Sequence, residues 1–160
     1  MSVAFTREDS AQTAQEISFP ERPISPHPNL VTETGWKALE TATSECRARF
    51  ETAQRIEDAD ARRRAVELAL RDLRYFAERL RSAQIQPSPA NADAVAFGSR
   101  VAIGRDDGRR QEFRIVGEDE ADPRNGSISY VSPVARVLIG KAVGDVVDMG
   151  GREIEILAIA

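Results

Sequence analysis

Three carboxylates, Glu57, Asp58 and Asp60, stand within four positions of one another and are followed at once by Arg62, Arg63 and Arg64. Carboxylates are hard oxygen donors, yet lone acids on a solvated loop hold a divalent cation poorly unless something else completes its shell. The same acids suit the start of a helix, where they accept from free N–H groups and complement the dipole. Arg62 and Arg64 lie four residues after Asp58 and Asp60, the spacing at which a helix lets opposite charges neutralise each other. The arginine cluster itself reads either as a solvated helix face or as a patch for a phosphate.

The elements that must carry these residues are legible on both sides. Trp36, Leu39, Thr43, Cys46, Phe50 and Ala53 recur at alternating steps of three and four, the seam of a heptad repeat. Thr32 or Thr34 would cap its start. The same steps return at Val66, Ala69, Leu73, Phe76, Leu80 and Ala83, which marks a second helix. Folded back antiparallel, the seams pair from the outside in, Trp36 with Ala83 and finally Ala53 with Val66, so the expected reversal lies between Ala59 and Asp60. Large residues then face small ones in three layers, as interdigitated packing prefers. The acids sit at the tip of this hairpin. Cys46, on the seam, is expected to be a small buried apolar residue.

After the hairpin, residues 86–94 hold two prolines among small polar residues and read as a linker. There the period becomes strand-like. Residues 99–104 and 112–116 flank a turn at Asp106, Asp107 and Gly108, and residues 127–131 form a third β run. Ser132 and Pro133 then supply an N-cap and a first-turn proline for a short helix over 135–139, which Gly140 stops. Residues 146–149 and 153–159 close the sheet. The whole is therefore α+β: an extended proline-rich arm (1–31), an antiparallel coiled-coil hairpin (32–85), a linker (86–94) and a compact sheet domain (95–160).

Bulk properties narrow the functions. The 160 residues are 41% hydrophobic and 30% charged, an ordinary soluble composition, and the formal charge of −4 argues against a protein that holds nucleic acid by counterion release. No apolar run reaches the ~18 to 20 residues that cross a bilayer, and the first ten residues lack the features of a leader, so a cytoplasmic location is expected. One cysteine and one histidine supply neither an internal disulfide nor a structural zinc site.

The run from Arg114 to Asp145 carries a denser signal. Ile115, Val116, Gly117, an acidic stretch over 118–122, Gly126, Ile128, Ser129, Ser132, Pro133, Ala135, Arg136, Ile139, Gly140, Lys141, Gly144 and Asp145 follow the pattern of the bacterial Gre (GreA/GreB) transcript-cleavage factors, with their Ser-Pro-x-Ala-Arg motif. Val95, Phe97, Gly98 and Val101 resemble that domain's entry. Leu30, Thr32, Gly35 and Leu39 resemble the start of the family's first helix, and Arg71, Arg74, Tyr75, Phe76, Leu80, Gln84 and Ile85 the second half of its hairpin. The resemblance spans about residues 29 to 160.

That resemblance implies an FKBP-like fold for the second domain and a transcription elongation factor that acts at the secondary channel of RNA polymerase. It would be an accessory factor and not itself an enzyme: acids at the coiled-coil tip help the polymerase cut its backtracked transcript. Glu57, Asp58 and Asp60 would be those acids, sharing Mg²⁺ with the polymerase active site and making indirect contact with nascent RNA. Ser132, Pro133 and Arg136 would belong to the polymerase-binding surface of a monomer with no tightly bound cofactor. The tip departs from the family's Gly-Asp-x-x-Glu-Asn-aromatic pattern, reading Arg-Ile-Glu-Asp-Ala-Asp-Ala-Arg over 55–62. Each arm is also about one heptad short, removing roughly 10 Å of reach at ~1.5 Å per residue. A non-cleaving channel binder that competes with other factors or modulates initiation is the alternative. Prolyl isomerisation would rest on fold alone, and Phe97, Phe113 and Tyr130 are too few aromatics to line its pocket. The acidic stretch after Gly117 reads as a solvated turn or, under the resemblance, as a loop facing the polymerase rim, and Arg71, Arg74 and Arg79 read as supports of the hairpin or the domain interface.

Overall fold

A computed structural model describes residues 18–160. Two long helices form a finger, α1 (Glu33–Ala53) and α2 (Ala59–Ser82). Thr32 is the cap of α1: its Oγ1 accepts from the Gly35 N–H at 2.9 Å. Asp58 caps α2 by accepting from the Ala61 N–H at 2.7 Å. Leu39, Thr43, Cys46 and Ala53 are buried on α1 and Ala69 on α2, while Leu73, Phe76 and Leu80 are half-buried. Two helices sharing one seam leave their outer faces to water, so the finger has a stripe of core and no more.

The reversal differs from its expected place. The non-helical connection is residues 54–58, and α2 already begins at Ala59. Symmetric pairing of the seams assumed that both helices end at the same height. Instead α1 stops at Ala53, and Ile56 lines a hollow together with Ala53, Ala65, Leu68 and Ala69, beside the second and third turns of α2. Farther down the finger, Arg49 on α1 reaches Asp72 on α2 at 3.7 Å.

The root of the finger is closed by a ribbon that the sequence did not announce. β1 (Leu30–Val31) and β2 (Gln84–Ile85) pair in parallel. Parallel neighbours need a long crossover, and here the whole helical hairpin is that crossover. Leu30 and Val31, expected in the extended arm, are therefore part of the finger. Asn29, buried just before β1, donates from Nδ2 to the Arg79 carbonyl at 2.7 Å and so ties the ribbon to the end of α2.

The second domain, the foot, is a five-stranded sheet in the order β5-β4-β3-β7-β6. Its strands are β3 (Arg100–Arg105), β4 (Arg110–Val116), β5 (Ser127–Ser129), β6 (Val146–Asp148) and β7 (Glu153–Ile159). All neighbours are antiparallel except β4 and β5. α3 (Pro133–Leu138) packs Ala135 and Leu138 into a core of Val101, Ile103, Ile115, Ile128, Ile154 and Ile156. Pairing extends β3 and β4 beyond the expected limits because their turn, with Gly108 at φ +79°, needs only residues 106–109. Residues 130 and 131 leave the strand to aim the chain at α3.

Residues 18–28 carry no regular structure and run along α2. The Arg22 guanidinium lies 3.9 Å from the centre of the Tyr75 ring and 3.6 Å from Asp72 Oδ1. Glu21 accepts from Arg74, and the Pro28 carbonyl accepts from the Tyr130 hydroxyl of the foot. Residues 1–17 of the proline-rich arm lie outside the described residues.

Candidate functional site

At the tip, local backbone demands decide which acids are free. The Asp58 carboxylate is engaged at the head of α2, whereas Glu57 and Asp60 are exposed and, among the described residues, form no ion pair. The expected pairing of Arg62 with Asp58 does not occur. Arg62 Nη1 instead donates to the carbonyls of Ile56 at 2.9 Å and Glu57 at 3.3 Å. The carbonyls of a non-helical turn lack backbone partners, so a neighbouring guanidinium satisfies them and stitches the turn to α2. Arg63 and Arg64 stay exposed.

The three acids are not gathered into a cage. Among the described residues no group of three or more His, Cys, Asp or Glu side chains is close enough to hold a metal ion. What the tip presents is two free carboxylates at the end of a rod.

At the other end of α2 the structure shows a cluster whose arginine was expected at the hairpin or the domain interface and whose acids were not. Arg79 is 2% exposed; its Nε donates to Asp119 Oδ2 at 2.5 Å, and Nη2 lies 3.7 Å from Glu118 Oε2. The Tyr75 hydroxyl donates to the other Asp119 oxygen at 2.5 Å. Thr32 donates to Glu120 Oε2 at 2.6 Å. The acidic stretch expected to be a solvated turn is thus the joint between finger and foot. Only Asp122 keeps that solvated role, bracing its own turn through Asn125 Nδ2 at 2.6 Å. Gly117 begins the loop, and a Cβ there would collide with the Leu30 carbonyl oxygen.

Burial first, and the hydrogen bond to Asp119 second, push the Tyr75 hydroxyl up to about 12. Burial and then the Glu118 charge raise Tyr130 as well. A phenol whose folded value lies above its unfolded value of 10.0 keeps its proton longer in the native state. Stability is therefore complete below the unfolded value and falls as pH rises through the window up to about 12. These are the two tyrosines of the chain. A spectrophotometric titration should show no full tyrosinate transition at the ordinary value; such a transition for either residue would refute the burial assigned here.

On the foot, Ser132 Oγ accepts from the Ala135 N–H at 3.3 Å, so this hydroxyl serves as the cap of α3. Pro133 and Arg136 are exposed on the same short helix. The structure places all three together, with the serine in a structural role.

Comparison with known proteins resolves what these parts belong to. Residues 89–160 match the family model described as transcription elongation factor, GreA/GreB, C-term. Over 109 residues the chain is 40% identical to transcription elongation factor GreA of Thermodesulfovibrio yellowstonii, covering 68% of this chain and 69% of that protein. Against transcription elongation factor GreB of Neisseria meningitidis serogroup B it is 37% identical over 152 residues, 82% of this chain and 93% of the relative. The chain belongs to the GreA/GreB family of transcription elongation factors. A solved GreA/GreB structure from Nitrosomonas europaea is 19% identical, with a TM-score of 0.40 over 82% of this chain and 98% of that one.

The family model covers the foot and most of the linker before it, while the alignment with the Neisseria protein, over 82% of the chain, also takes in much of the finger. Within this Gre chain the finger is the part whose local chemistry must be read from its own geometry. Two signals for the joint were present in the sequence, a conspicuous acidic stretch and arginines spaced along α2. Neither names its partner, because Arg79 and Asp119 are 40 residues apart. Among the described residues no helix is long and apolar enough to cross a membrane.

Proposed function

We propose that this Gre factor docks its foot on RNA polymerase at the secondary channel and extends its finger inward, where Glu57 and Asp60 assist the polymerase in cutting a backtracked transcript. The observation that carries this reading is the pair of exposed, unpaired carboxylates at the far end of a two-helix rod. Helices of 21 and 24 residues span roughly 30 to 36 Å at ~1.5 Å per residue, which sets how far the tip stands from the foot. In this reading the chain acts as a monomeric accessory and the bond-breaking machinery stays with the polymerase.

Carboxylate oxygens fit the donor chemistry of Mg²⁺, which takes one or two carboxylates and keeps several waters. Glu57 and Asp60 would offer those oxygens, and Asp58 at most the one that its cap leaves free. A shared ion would supply charge stabilisation to the attacking and leaving oxygens. The contribution of this chain is delivery: Arg62 holds the turn, Asp58 fixes the start of α2, and the two free acids are presented together. Arg63 and Arg64, exposed on the same turns, suit contact with channel walls or transcript phosphate. Pro133 and Arg136 are the surface positions we assign to polymerase contact.

The test is transcript shortening on stalled elongation complexes with Mg²⁺. The intact chain should stimulate shortening, and the triple Glu57/Asp58/Asp60→Ala variant should not. Absence of shortening by the intact chain would overturn the cleavage reading in favour of a non-cleaving competitor at the same channel.

A further inference from the structure

We infer that Arg79 is a positioning residue for the proposed cleavage function, the pivot that fixes the finger's direction relative to the foot. This rests on the reading of the tip given above and extends it to a residue far from the chemistry. Arg79 lies in the last turn of α2, is 2% exposed, and meets Asp119 and Glu118 of the foot together. Asp119 is held from its other oxygen by Tyr75, one turn earlier on α2. Two side chains of one helix face thus grip one carboxylate, which fixes rotation as well as distance.

Two further contacts of this joint support the same geometry. Thr32 at the head of α1 reaches Glu120, and Gly117 lets the loop lie against the Leu30 carbonyl. Residues 23–26 of the arm line a hollow with Tyr75, Arg79 and Glu118, on the outer side of the cluster. One loop of the foot therefore binds the roots of both helices, with Arg79 at its centre.

A buried arginine held by partly buried carboxylates is a poor stabiliser compared with apolar packing, but it is costly to strip of its partners and specific in geometry. That specificity matters because the finger is a lever. From Arg79 to the start of α2 at Ala59 is 20 residues, about 30 Å at ~1.5 Å per residue, so a tilt of about 10° at the joint moves the tip by roughly 5 Å. Misplacement of reacting groups by about 1 Å can cost on the order of 10²-fold in rate. The tip acids make no contact with the foot, so their aim depends on the joint.

The test uses the full chain with spin labels on exposed positions of tip and foot, Gln54→Cys and Arg124→Cys in a Cys46→Ala background. The parent should give one narrow tip-to-foot distance distribution. Arg79→Met, and independently the near-isosteric Asp119→Asn, should broaden it at least about twofold while helix content by circular dichroism is unchanged. With polymerase, the maximal shortening rate at saturating factor should fall at least about tenfold. The half-saturating concentration should stay within about twofold, because docking is a property of the foot. Arg79→Lys should recover part of the rate by restoring a cation. An unbroadened distribution in both variants overturns the inference, as does a loss that lies wholly in the half-saturating concentration. If the parent itself shortens no transcript, the cleavage reading fails, and the distance measurement still decides the role of Arg79.

Discussion

Gly117→Ala is expected to destabilise the protein by about 3 kcal/mol, the upper end for forcing an extra methyl group into a closed space. The added Cβ would meet the Leu30 carbonyl oxygen, with the Leu30 carbonyl carbon and the Val31 Cα immediately behind it. All three are backbone atoms of β1, which is itself hydrogen-bonded to β2, so no flexible side chain can swing aside. The clash can be relieved only by moving the joint loop away from the ribbon, which lengthens the Arg79 to Asp119 contact. For a chain of this size the loss corresponds to a fall in Tm of roughly 6 to 12 °C. Thermal and urea unfolding would check it, and a loss below about 1 kcal/mol would show that the loop is not wedged against β1.

The second large effect is at the tip, where charge can be separated from capping. Glu57→Gln with Asp60→Asn removes two free carboxylates and leaves the Asp58 cap in place. Shortening should fall about 10²-fold, the scale for losing an electrostatic group aimed at developing charge, with no change in helix content or in half-saturating concentration. Asp58→Asn should behave differently, because asparagine caps a helix about as well as aspartate. It should keep most of the activity. Asp58→Ala should instead cost about 1 kcal/mol of α2 stability. If Asp58→Asn abolishes shortening while the Glu57/Asp60 pair is dispensable, the assignment of roles within the tip is wrong.

Local signals in the chain were enough to find the elements. The 3-4 steps from Trp36 and Val66 gave both helices, the Ser132 and Pro133 pair gave α3, and the alternation around Val101, Ile103, Ile154 and Ile156 gave the sheet, because each is written within a few residues. Cys46, expected inside, is buried. What was not legible depends on partners distant in sequence. The acidic stretch after Gly117 has the composition of a solvated turn, and only its pairing with Thr32, Tyr75 and Arg79 makes it a joint. Arg62 had the right spacing for Asp58, yet the unmet carbonyls of residues 56 and 57 were the better acceptors. Two-residue strands such as β1 and β2 are too short to carry a period of their own. Glu57 and Asp58 lie in the connection and Asp60 in the first turn of α2, but which of them is engaged in capping depends on where α2 begins, and element boundaries are the weakest part of a periodicity argument.

Because the parallel ribbon closes the hairpin at its root, the length of the shaft and the geometry of its anchorage are encoded in separate stretches of chain. Adding or removing whole seam repeats in both shafts would change how far the tip projects while every anchoring contact keeps its place. Projection is then an adjustable dimension, set like the blade of a depth gauge against a fixed stop, and a lineage could retune it without redesigning the base.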